Sequence, residues 1–119
     1  MTNQEIAKRL VELNRAHDYE TVYRELFHTE AVSIENWGSA PERYVGLEAI
    51  VAKGAGWMES IAEMHAMQVG EPIISDGSIA VTFFMDVTYK DPVMGRQSMT
   101  ELAIYTVRDG KIVEEEFRA

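Results

Sequence analysis

The stretch Ser78-Ile-Ala-Val-Thr-Phe-Phe-Met-Asp-Val-Thr-Tyr-Lys90 decides the fold. Ile79, Val81, Phe83, Met85, Val87 and Tyr89 occupy consecutive odd positions, which predicts a long strand with one apolar face, because side chains alternate sides with period two. Upstream, Met64–Ser75 reads as another strand, with Asp76-Gly77 as a tight turn. Downstream, Asp91–Gly95 reads as a turn, Arg96–Arg108 as a returning strand, Asp109-Gly110 as a turn and Lys111–Arg118 as a closing strand. Both Asp-Gly turns are expected to need a positive φ at glycine.

Further out, the period changes from two to helical. Thr2 and Glu5 have capping-box spacing ahead of Ile6, Leu10 and Leu13. Asp18 is placed to cap a second helix in which Tyr19, Val22, Tyr23, Leu26 and Phe27 form one stripe. Ala31–Asn36 alternates as a short strand, Trp37–Tyr44 reads as loop, and Leu47, Ile50, Val51, Trp57, Met58 and Ile61 fit a third helix after Gly46. Helices followed by a meander of long strands predict an α+β domain with helices on one face of a curved antiparallel sheet. At 119 residues the chain is one domain, 1–119.

Composition narrows the function. Twenty acidic against eleven basic residues, a net charge of −9, argue against nucleic acid and anionic membrane surfaces as partners. Without cysteine there is no disulfide, thiolate nucleophile or thiolate metal site. His17, His28 and His65 show no metal-ligand spacing, so no metal is expected. The start shows no secretory pattern and no run suits a membrane span, so a cytoplasmic location is expected.

Three segments, Phe27-His-Thr-Glu-Ala-Val-Ser-Ile-Glu35, Gly46-Leu-Glu-Ala-Ile50 and Tyr105-Thr-Val-Arg-Asp-Gly-Lys-Ile-Val113, resemble the SnoaL-like polyketide-cyclase group of the nuclear transport factor 2-like superfamily, which includes ketosteroid isomerase. The resemblance covers nearly the whole chain. It implies a cone-shaped α+β barrel of the cystatin-like kind, a mostly apolar pocket and chemistry without a cofactor. It also implies dimerisation through the sheet. By period two the outer face of the two central strands carries Ala80, Thr82, Phe84, Asp86 and Thr88 opposite Ser98, Thr100, Leu102, Ile104 and Thr106, a moderately apolar surface that a homodimer would cover. In the same register the isomerase's two oxyanion donors fall on Leu10 and Ala103, which cannot donate, so steroid isomerisation is not expected. Its base falls on Glu35 or on Asn36.

If position 103 faces the cavity, so do Met99, Glu101 and Tyr105, and on the last strand Val113, Glu115 and Phe117. Glu35, Glu101 and Glu115 would then share an apolar pocket, where repulsion and desolvation raise at least one carboxyl's pKa. The alternatives are solvent exposure for Glu35, an ion pair with Arg96, Arg108 or Arg118 for Glu101, and a solvated edge for Glu115. His65 shares a phase with Met67 and Val69 and is either a proton shuttle or a partly buried structural histidine. Tyr105 is either an oxyanion donor or core, and Trp37 and Trp57 either close the pocket mouth or pack in the core. The functional expectation is an isomerase, cyclase or lyase acting on a small apolar carbonyl compound, with catalytic Glu35, His65, Glu101 and Tyr105 and ligand contacts from Trp37, Trp57, Glu115 and Phe117. The alternative is a non-catalytic small-ligand-binding or dimerisation module.

Overall fold

The computed structural model describes residues 1–38 and 40–119; Ser39, in the stretch expected to be loop, lies outside the described residues. Among the described residues three helices and seven strands follow in the order α1 (Asn3–Arg15), α2 (Tyr19–Leu26), β1 (Phe27–Asn36), β2 (Glu42–Val45), α3 (Leu47–Glu59), β3 (Ile61–Val69), β4 (Ile73–Ile74), β5 (Ser78–Tyr89), β6 (Arg96–Arg108) and β7 (Lys111–Arg118). The capping box forms as expected. The Thr2 amide donates to Glu5 at 2.8 Å, and the Thr2 hydroxyl accepts from the Glu5 amide at 3.1 Å. Asp18 caps α2 through the Thr21 amide.

The strands form one sheet in the order β2-β1-β7-β6-β5-β3, with β4 beside β5. The sheet is curved and does not close on itself. It is mixed rather than antiparallel, because β1 runs parallel to β7. That pairing needs a long crossover, which α3 and the later strands supply. The third helix therefore follows two strands instead of preceding the sheet.

Other boundaries differ from the pattern for local reasons. Phe27 and Ile61, in phase with the preceding helices, are instead the first residues of strands, and Phe27 keeps its place in the core. Glu42–Val45, read as loop apart from Val45, pairs with β1 from Val32↔Val45 to Glu35↔Glu42; as a short edge strand exposed along most of its length it carries no apolar alternation. The single strand expected over Met64–Ser75 is two. At Gly70 the amide donates to the Thr82 carbonyl, and a Cβ there would sit 2.4 Å from Thr82 Oγ1. Gly110 has φ +74 and Asp109 φ +51, a paired left-handed turn. Gly77 does not adopt positive φ, so only one of the two Asp-Gly turns requires its glycine conformationally.

The core is one cluster shared by helices and the inner sheet face, including Ile6, Leu10, Leu26 and Ile50 from helices and Ile79, Val81, Val87 and Ile112 from strands. Ile112, not Val113, takes the core position on β7. Thr106 pairs with Glu114 and Val107 with Ile112, leaving Val113 as the extra residue of a bulge.

Candidate functional site

Paired residues in a sheet point to the same side, so the register alone stacks the site in rows. One row runs Ser33, Glu115, Tyr105, Ile79; the next runs Glu35, Phe117, Ala103, Val81; a third contains Glu101 and Phe83. Thus three carboxylates meet one apolar surface. They line a cavity of about 970 Å³ bounded also by α2 and α3, with Tyr23, Tyr44, Trp57 and Met85 among its walls.

Lys53 descends into this cavity from α3. Its Nζ donates to Ser33 Oγ at 2.7 Å and to Glu35 Oε1 at 2.7 Å, and lies 3.6 Å from Glu115 Oε1. It also sits 4.8 Å from the centre of the Phe117 ring and 5.4 Å from that of Tyr44. The ammonium is thus held by oxygens on one side and aromatic faces on the other. Glu35 Oε2 and Glu115 Oε1 are buried without a hydrogen-bond partner among the described residues.

Each expected site residue has a definite place. Glu35 points inward beside Lys53 and not into solvent, with a side chain 14% exposed. Asn36 pairs with Arg118 in the alternate phase, so Glu35 rather than Asn36 faces the cavity. Glu115 is 2% exposed, not a solvated edge residue. Burial pushes its carboxyl up, opposed by the Lys53 charge and the Ser33 hydroxyl.

Glu101 lines the cavity and makes no ion pair among the described residues. Arg96 is committed to Asp86 and Arg118 to Glu116. Burial first, then the Glu35 charge, raises Glu101 to about 7, with Lys53 opposing the shift. Tyr105 and Tyr23 line the cavity with hydroxyls that hydrogen-bond no other described residue. Burial and the charge of Glu115 hold both well above the ordinary phenol value, so both remain donors.

Trp37, Trp57 and Phe117 are cavity-lining. Trp57 and Phe117 also rest on the core, whereas Trp37 is largely exposed. His65 is the exception. Its Nε2 lies 2.6 Å from Thr88 Oγ1 on the face opposite the cavity. The cause is a bulge: Met64 pairs with Val87 but Ala66 with Asp86, so the period slips at His65 and it leaves the phase of Met67 and Val69. Leu10 and Ala103 are fully buried and donate nothing.

Lys53 is the residue sequence reasoning missed. A signal existed: it lies three residues after Ile50 and four before Trp57, a cation within an apolar helical stripe.

A family model described as SnoaL-like domain matches residues 1–118. No curated protein matches the chain. Among solved structures, a candidate SnoaL-like polyketide cyclase of Mesorhizobium loti is 33% identical, with 98% of each chain covered and a TM-score of 0.89. A second candidate SnoaL-like polyketide cyclase, from Jannaschia sp. CCS1, is 19% identical over 97% of this chain and 83% of its own, with a TM-score of 0.76. A Xanthomonas campestris protein with a cystatin-like fold is 15% identical over 98% of this chain and 89% of its own, with a TM-score of 0.79. The latter two likenesses speak to fold alone. Because the family model spans residues 1–118, the chain belongs to the SnoaL-like domain family.

Proposed function

We propose that the protein is a cofactor-free acid–base isomerase, cyclase or lyase acting on a small, largely apolar carbonyl compound held in this cavity. In this reading the sheet and helices form a cone, and the ligand enters at the end where Trp37 stands. Glu35 is the base: its carboxylate faces the cavity, with Oε1 held 2.7 Å from the Lys53 ammonium and Oε2 without a hydrogen-bond partner among the described residues. Glu101 is the acid. Its proton and the hydroxyls of Tyr105 and Tyr23 meet the oxygen on which charge develops. His65, on the other face, has no part.

The observation that carries the reading is Glu101, a cavity carboxyl without a cation partner among the described residues, raised to about 7. Like residues in unlike surroundings thereby supply both an acid and a base at neutral pH. The test is a thermal-shift screen of cyclic and aryl ketones against the matching hydrocarbons, followed by NMR of deuterium entry at the carbon next to the carbonyl. Ketones should stabilise the protein and exchange faster with it than with Glu35→Gln. If no ketone outperforms its hydrocarbon, the reading fails.

A further inference from the structure

The ammonium of Lys53 lies among groups suited to more than holding Glu35. It is the one lysine of four that lines the cavity, with a side chain 14% exposed, while Lys8, Lys90 and Lys111 are exposed. Burying an ammonium costs several kcal/mol unless its surroundings compensate fully. Here two carboxylates face one ammonium, and Glu35 Oε2 and Glu115 Oε1 are both buried without hydrogen-bond partners among the described residues. A saturated structural ion pair would leave neither atom orphaned.

We propose that Lys53 is a nucleophile, and that its amine condenses with the carbonyl carbon of the bound compound to form an iminium and release water. This rests on the reading that the cavity takes a carbonyl compound, but not on which carbon-bound proton is then moved. Glu35 Oε1, 2.7 Å from Nζ, takes a proton from the ammonium when an apolar ligand displaces water, since the neutral pair is the cheaper state in a dry cavity. The freed amine's lone pair attacks the carbonyl carbon and the C=O π bond opens. A second amine proton moves to the oxygen, giving a carbinolamine. Glu101 then protonates that hydroxyl, the C–O bond breaks, water leaves and the nitrogen lone pair forms the C=N bond.

Atoms and charge balance. One ammonium and one carbonyl become one iminium and one water, with a proton passed from Glu101 to Glu35. The nitrogen is positive at the start and again in the iminium, so the groups that receive the ammonium also receive the product. Those are Glu35 and Glu115 on one side and the ring faces of Phe117 and Tyr44 on the other. The iminium also acidifies the C–H bonds next to its carbon, and Glu35 serves as the base for their abstraction once the proton it took from the ammonium has been returned to Glu101 through the released water.

The test uses the full chain with benzaldehyde and 4-phenylbutan-2-one, reduced with sodium cyanoborohydride and mapped by peptide mass spectrometry. Reduction fixes an iminium as a stable secondary amine on the lysine that carried it. Lys53 should be modified in preference to Lys8, Lys90 and Lys111, and that adduct should be lost in Lys53→Arg, which retains the cation beside Glu35 so that the fold survives. Thermal shift is read in parallel. If the ketone stabilises the protein but Lys53 is modified no more than the three exposed lysines, the nucleophile assignment is overturned and the acid–base reading stands. If neither probe stabilises the protein or modifies Lys53, both fall.

Discussion

Replacing Glu101 by Gln keeps the side chain's shape and a hydrogen-bonding amide but removes its titration. Glu101 stands at about 7 in the fold against 4.5 when unperturbed. At 1.36 kcal/mol per unit the native state is penalised by about 3 kcal/mol once both states have ionised. The sign follows from proton counts. Below pH 4.5 the carboxyl is protonated in both states and contributes nothing. Between 4.5 and 7 the unfolded chain ionises while the fold holds its proton, so stability falls as pH rises; above 7 the loss is complete. Glu101→Gln should therefore match wild type near pH 4 and exceed it by up to about 3 kcal/mol at pH 8, roughly 10 °C in melting temperature for a chain of this size. Urea unfolding of both proteins between pH 4 and 8 measures the difference directly. A gain of equal size at both ends would mean that packing, not ionisation, was altered, and the acid role would be withdrawn.

Lys53→Met leaves Glu35 and Glu115 buried with no cation, so it should cost about 3–5 kcal/mol at pH 8 in urea unfolding. Much of that cost should return when Glu35→Gln is added, as a double-mutant cycle would show. Gly110→Val forces a β-branched residue to φ +74 and should lose more than about 1 kcal/mol in thermal melts, whereas Gly77→Val should melt near wild type. If the outer sheet face pairs two copies, Phe84→Asp and Ile104→Asp should convert a dimer to a monomer in sedimentation velocity with the helical circular dichroism intact. A wild type that is monomeric at micromolar concentration would refute that pairing.

The strands from Ser78 to Arg118 were legible because each alternates over many residues between strong turn signals, and a long period-two run has one way to bury its apolar face. The helix starts were legible because a cap is a local device: Thr2 and Asp18 act on amides three residues away. Glu101 and Glu115 could be assigned inward because β6 and β7 keep their phase over those residues. His65 could not be placed correctly, since one bulge in β3 reverses every phase beyond it and nothing in Met64-His-Ala-Met67 announces the extra residue. Val113 was misassigned for the same reason.

Sequence by itself therefore determined the fold class, the main elements and the crowding of carboxylates on one face, since periodicity and capping act within a few residues. The tertiary structure alone decided the parallel seating of β1 against β7, which sets Ser33 beside Glu115 and Glu35 beside Phe117, and the descent of Lys53 from α3 onto both rows. It also decided which carboxyl has a cation and which has none. Those outcomes depend on contacts between segments far apart in the chain, where side-chain charge is compensated or left bare by whatever element happens to lie opposite.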